Sequence, residues 1–270
     1  MSDEKNTNKN ALINLPEIPK SIDKAVENIT DRPTREIGGT LGDIIFLVFG
    51  GFSQAANKRR MKYAVELEKF QQELEESINN IPSDKRIEPN TRLAMSSLES
   101  AKYLVEEENL RKMFTRLITC SMNIDYKDYV HPMFVDIINN ISSFDAQVLC
   151  LFKTHSSIPI ANYIYRASSG SYRIIKENVI ISYPNEIGTS SQLISLSLSS
   201  LEKLGLIKIQ YNEFLHNFDY DKFKLMSEYK DISNTEKTIF KDQEQIATKD
   251  IQKGRCSLTP FGEQFVKICV

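Results

Sequence analysis

The chain has 270 residues, and its 34 Lys and Arg nearly balance 36 Asp and Glu, leaving a formal charge of −2. A dedicated nucleic-acid binder draws most of its affinity from phosphate contacts and usually carries a basic excess, which is missing here. The ordinary apolar content excludes a fibrous or wholly disordered chain, and the length admits two modest domains or one helical domain with an attached module.

Residues 1–30 read as a flexible tail rich in Asn, Lys, Glu and Pro, with a short apolar rhythm at Ile13, Leu15, Ile18, Ile22 and Val26. The first ten residues hold no apolar signal-peptide core, so the expected location is the cytoplasm, or the inner face of the cell membrane. Four scattered cysteines, Cys120, Cys150, Cys256 and Cys269, form no CxxC pair and read as buried, reduced thiols.

The next unit, 31–80, joins a glycine-rich apolar segment to an amphipathic charged helix. Between Ile37 and Ala56 the only charge is Asp43, and Ile44-Ile45-Phe46-Leu47-Val48-Phe49 forms a solid apolar centre. A helix over 37–56 would be roughly 30 Å long, about a bilayer's hydrocarbon thickness. Gly38 and Gly42 have the GxxxG spacing that lets helices approach in lipid. Lys58, Arg59 and Arg60 follow, suited to an anionic surface at about 1 kcal/mol per charge. Against insertion, Asp43 would cost about 2.5–3.5 kcal/mol near the membrane centre. Two readings stay open: a helical hairpin buried against the rest of the protein, or a segment that engages a membrane or a partner. In the second, Gly38, Gly42, Phe46, Phe49, Lys58, Arg59 and Arg60 are the contact candidates. Tyr63, Leu67, Phe70, Leu74 and Ile78 then mark one narrow apolar stripe of a charged helix.

Residues 83–155 read as four short helices joined by short links, a compact antiparallel bundle. The first places Ala94, Leu98, Ala101 and Val105 on one face, with Asn90 or Thr91 as its cap. The second begins with three glutamates and buries Leu110, Met113, Phe114, Leu117 and Ile118; Glu107 with Arg111 and Glu108 with Lys112 are i,i+4 pairs. Pro132 suits the first turn of the third, which carries Phe134, Ile137, Ile138 and Ile141. Ser142 and Asp145 make a capping box for the fourth.

Within this block the succession Glu88-Pro89, Leu98, Ala101, Tyr103, Glu106 to Arg111, Met113-Phe114, Leu117-Ile118, Ser121-Met122, His131-Pro132, Phe134-Val135, Ile137-Ile138, Ser143 and Asp145-Ala146 resembles the abortive infection alpha family. That family is a bacterial group tied to phage defence. The resemblance implies arrest or death of the infected cell as the output, and it brings no catalytic residues with it. It is expected to go with a helical middle, so a mainly β-structured middle would count against it.

From 156 to 270 the expectation is a winged-helix-like α+β module. Tyrosines and isoleucines from Ile158 to Ile181 fit strands or a short helix equally. A helix with Ile194, Leu198 and Leu201 inward ends at Gly205 as C-cap. Leu206 to Ile209 reads as a strand, 212–254 as a polar insertion, Cys256 to Leu258 as the returning strand, and Thr259-Pro260 as the start of a last helix. Helix, strand, wing, strand and helix in that order resemble the second half of a winged-helix domain. The expected fold class is therefore mainly α, a helical bundle with a C-terminal winged-helix-like module.

Motifs for chemistry are sparse. His131, His155 and His216 share no metal-ligand spacing, and His131 beside Pro132 reads as a capping or packing residue. No P-loop, GxGxxG, GxSxG or HExxH occurs. Asp219, Asp221 and Glu228-Tyr229-Lys230 lack flanking apolar strands that would aim two carboxylates at one ion. The expected function is thus non-enzymatic, with no metal or cofactor and no small-molecule substrate, acting through a protein partner or self-assembly and through membrane contact in the second reading of 37–56. The alternatives are a scaffold for a neighbouring toxin or sensor, or a nucleic-acid-binding regulator. The last would use Ser191, Gln192, Ser195 and Lys203 on a serine-rich helix, and Tyr163, Arg166 and Arg173 as a stacking and phosphate surface.

Overall fold

A computed structural model describes residues 39–49, 58–181, 191–240 and 243–270. Six helices come first: α1 (Gly39–Phe49), α2 (Lys58–Asn79), α3 (Thr91–Leu104), α4 (Glu108–Ser121), α5 (Met133–Asn140) and α6 (Ser143–Cys150), with a 3-10 turn at Lys127–Tyr129 before α5. Then follow β1 (Ser157–Ala167), β2 (Tyr172–Ile180), α7 (Ser191–Lys203), β3 (Ile207–Gln210), a 3-10 helix (Tyr220–Leu225), α8 (Ser227–Lys230), β4 (Thr235–Phe240), β5 (Gln243–Leu258) and α9 (Pro260–Cys269).

Helix α4 is the hub of the helical half. It packs against α2, α3, α5, α6 and α9, and its Phe114, Leu117 and Ile118 are fully buried. Leu67, Phe70, Leu74 and Ile78 of α2 close one side of this core, as their three-four-four spacing requires. The capping chemistry sets the helix starts. Asn90 Oδ1 accepts from Leu93 N, and Ser142 and Asp145 form the reciprocal capping box of α6. In the C-terminal half, α7 ends where Gly205 adopts a φ of 74°; Leu206 N donates to Leu201 O and Gly205 N to Glu202 O, the paired bonds of a Schellman motif.

The expected fold class is overturned here. The C-terminal half is built on a five-stranded antiparallel sheet that curls into a half-barrel, so the protein is helices plus sheet and not a mainly α bundle. The strand order is β2-β1-β5-β3, with β4 also paired to β5. Helix α7, strand β3, strand β5 and helix α9 do follow in the anticipated order. The returning strand, however, is sixteen residues long, and its other edge pairs with β1 from Ser157↔Ser257 to Ala167↔Ala247. The expected polar insertion therefore contributes β4 and more than half of β5. Its polarity comes from ladder residues paired across strands, such as Arg166 Nε with Asp250 Oδ2 at 2.9 Å.

The sheet was hard to see because β1 is covered on both faces. Residues Ile160 to Tyr165 are all buried, which erases the two-residue alternation of a half-exposed strand. One face carries a satellite core in which Tyr163, Val179 and Ile251 meet Tyr220, Phe223 and Tyr229 of the 212–234 connection.

The cysteine expectation also needs correction. All four are free, but only Cys256 and Cys269 are buried; Cys120 is half-buried and Cys150 is exposed at the end of α6. Burial pushes the thiols of Cys256 and Cys269 well up from their ordinary range. A thiol-reactive dye added to native protein is expected to label Cys150 quickly and Cys120 more slowly. Cys256 and Cys269 should react only when denaturant is added, with mass spectrometry of digests assigning each site.

Candidate functional site

A recess on the helical half lies between the first turns of α3 and α5, with a volume of about 770 Å³. Its position follows from local sequence. Pro89 and Asn90 end an extended segment and start α3, while the 3-10 turn ends at Val130 and Pro132 serves as N-cap of α5. Two helix starts thus face one hollow, and the short links before them form its walls. Leu93 and Val135 are buried at its base, and Met133 stands half-exposed at its rim. Charges of both signs surround this apolar patch: Arg92 and Lys127 against Glu88, Asp128 and Asp136. Ile124 and Tyr129, both about half-exposed, extend the apolar surface along the same connection.

The neighbouring histidine supports this wall. His131 Nδ1 accepts from Met133 N at 3.2 Å, and its ring meets Phe261 edge-on at 5.7 Å and Phe134 at 6.1 Å. It therefore fixes the start of α5 against α9, the capping and packing role its position beside proline suggested. Lys267 of α9 lies 4.7 Å from the Tyr129 ring centre, so α9 also braces the 3-10 turn. Such an arrangement offers an apolar patch ringed by hydrogen-bonding and charged groups, held at the starts of two helices.

The residues singled out from sequence fall elsewhere. Of the membrane or partner candidates, Gly42 is buried on α1 and Gly38 lies outside the described residues. Phe46 and Phe49 belong to α1, and Lys58, Arg59 and Arg60 to the first turn of α2, but their side chains lie outside what is described. Leu41, Ile44 and Ile45 are buried where α1 packs on α3, whereas Asp43 and Leu47 face solvent. Among the described residues no helix is long and apolar enough to cross a membrane.

The nucleic-acid candidates are dispersed too. Tyr163 is fully buried, and its Oη donates to Phe223 O at 3.1 Å. Arg166 is paired with Asp250 and Arg173 with Glu236, so neither guanidinium is left uncompensated. On α7, Gln192 and Lys203 are exposed while Ser191 and Ser195 are half-buried. The outer face of that helix is dominated by Leu193 and Leu196, 47% and 66% exposed, and is apolar rather than basic. Asp219 caps the 3-10 helix, Asp221 pairs with Lys224 at 2.8 Å, and Glu228 pairs with Lys176 at 3.2 Å. The three acids thus serve separate partners. Among the described residues no group of three His, Cys, Asp or Glu could hold a metal ion.

Sequence reasoning missed the groove residues Arg92, Lys127, Asp128, Met133 and Asp136. The available signal was the pair of proline-marked helix starts, Glu88-Pro89 and His131-Pro132, which share a hollow only once α3 and α5 are packed side by side.

The fold and this recess together define an α+β protein with a helical half docked to a curled antiparallel sheet and a groove at two helix starts. A family model described as abortive infection alpha matches residues 62–269, and the chain belongs to that family. Membership points to a role in abortive infection, the defence against phage. The block from 83 to 155 is helical, as the resemblance led one to expect, and the match runs on through the β1–β2 hairpin. No curated protein and no solved structure matches the chain.

Proposed function

We propose that the protein serves abortive infection as a non-enzymatic docking body whose α3–α5 groove receives a segment of a partner protein. The observation that carries this reading is the groove's lining: an apolar base at Leu93 and Val135, an exposed Met133, and charges of both signs around them. An apolar side chain flanked by polar and charged groups complements such a surface, and methionine suits it because its flexible thioether adapts to varied shapes.

In this reading α1 belongs to the body and is not a membrane arm. Exposing Leu41, Ile44 and Ile45 would cost about 1.5–3 kcal/mol for each side chain, which makes spontaneous release rare. Membrane engagement would need a partner or lipid surface to supply that energy.

The test uses Met133→Glu and Arg92→Glu in cells challenged with phage. Both side chains are exposed or half-exposed, so folding should be unaffected. Protection is expected to fall by about tenfold or more in plaque counts, in line with losing one interface hot spot. Undiminished protection at equal protein abundance would refute the docking role.

A further inference from the structure

We infer that the aromatic cluster of the 212–226 connection is a second binding surface, which takes an unpaired nucleic-acid strand. This goes beyond the docking reading and does not depend on it. The cluster is a contiguous row. Phe214 meets Tyr220 edge-on at 6.0 Å, and Tyr220 meets Phe218 edge-on at 5.2 Å. His216 lies beside Phe214 with ring centres 4.8 Å apart. Lysines stand at both ends: Lys253 of β5 lies 5.6 Å from the Phe214 centre and 5.7 Å from that of Tyr220, while Lys222 lies 5.7 Å from that of Phe218.

Three features separate this surface from an ordinary satellite core. Phe214 is 41% exposed, although the neighbouring Tyr220 and Phe223 are almost wholly covered. Neither Lys222 nor Lys253 forms an ion pair within 4.0 Å among the described residues; each lies over a ring, and the charge of Lys253 also acts on the Asp221 carboxyl. The nearby acids are occupied, since Glu213 pairs with Arg255, Asp221 with Lys224, and Asp219 caps the following 3-10 helix.

An exposed ring at one end of a row with an ammonium group at each end matches a nucleotide strand's needs: a π face for a base and positive charge for the phosphates along it. An acidic polypeptide would satisfy the lysines but leave Phe214 without a partner, which is why the strand is favoured. The rigid backing comes from β5 and from Tyr220 Oη, which donates to Gly254 O at 2.6 Å and accepts from Leu215 N at 3.1 Å. Both bonds fix the row against the sheet, so a base would stack on a preformed platform.

The experiment measures anisotropy of a fluorescein-labelled oligothymidylate with the full chain, at several salt concentrations. Binding is expected, weakening with salt as two phosphate contacts require, with a log–log slope of about −1.4. Phe214→Ala should weaken binding by about tenfold at least, and Lys222→Gln with Lys253→Gln should flatten the salt slope. All three side chains are exposed, so an unchanged thermal transition will show that the variants fold. Absence of binding, or a Phe214→Ala protein that binds as well as the parent, would overturn the assignment. Equal competition by unlabelled duplex, or by a mononucleotide at the same nucleotide concentration, would overturn it as well.

Discussion

Replacing Arg111 with alanine is expected to lower the unfolding free energy by about 3–5 kcal/mol, the range seen when one partner of a buried ion pair is removed. Arg111 is 4% exposed and ties α4 to α2 through every arm of its guanidinium. Nε and Nη2 bind the two oxygens of Glu73 at 3.1 and 2.9 Å, and Nη1 donates to Glu66 Oε2 at 2.6 Å and to Val105 O at 3.0 Å. Loss of the arginine leaves Glu73 in a half-dry seam without its donor, Glu66 held only by Lys69 on its other oxygen, and the Val105 carbonyl without the Arg111 bond. Lysine offers a single point charge in place of a planar fork, so Arg111→Lys should recover only part of the loss. Urea unfolding followed by circular dichroism measures both; an alanine variant within about 1 kcal/mol of the parent would show that the seam relaxes without its clamp.

The same clamp predicts an acid-sensitive step. The Glu66 carboxyl is held below its ordinary value of 4.5, chiefly by the hydrogen bond from Lys69 and further by the charges of Lys69 and Arg111. A carboxylate with a depressed folded-state pKa adds stability that is present above the unfolded value and disappears as pH falls through the folded one. Stability should therefore decline as pH drops below about 4.5, and Glu66→Gln should show a shallower decline in the same urea titrations.

Arg111 also shows where sequence reading stops. Its spacing predicts an i,i+4 pair with Glu107, and the equivalent Glu108–Lys112 pair does form, at 2.5 Å, on the exposed side of α4. Arg111 instead turns inward to α2, and Glu107 accepts from Ser143 Oγ at 2.9 Å. Local periodicity places a residue on a helix, but only the neighbouring helix decides which partner meets it. Helix starts were legible for the same reason that they are local: Asn90, Ser142 with Asp145, Thr259-Pro260 and Gly205 announce their caps within four residues. The sheet was not, because β1 shows no alternation once both faces are covered, and β5 carries polar residues whose partners on β1 lie about ninety residues earlier in the chain. The groove shares that fate, since α3 and α5 are brought together by α4, which both of them touch.

A second large effect is expected at Gly262, where the usual rule for helices should be inverted. Gly262 lies in the first turn of α9, and replacing a helical glycine with alanine normally stabilises by about 1 kcal/mol. Here a Cβ would lie 1.8 Å from Leu206 O and 2.7 Å from Leu206 C, and both are backbone atoms that cannot swing aside as a side chain would. Leu206 O is itself fixed as the acceptor of Thr259 N at 3.0 Å, and the Thr259 hydroxyl both caps Gly262 N and donates to Gly205 O at 2.6 Å. The methyl group must therefore push α9 away from the α7–β3 corner. That movement would pull Phe265 and Ile268 out of full burial and open the Phe134–Phe265 contact, now 5.2 Å between ring centres. A loss on the order of 3 kcal/mol or more is expected, at the upper end for overpacking because the clash is with main chain. Gly170→Ala is the matched control: its φ of 84° carries a conformational cost of about 1–2 kcal/mol, but nothing lies within 4 Å of the added carbon. If thermal or urea unfolding shows Gly262→Ala to be no worse than Gly170→Ala, then α9 is free to shift at its start and the close approach to Leu206 does not hold the two halves together.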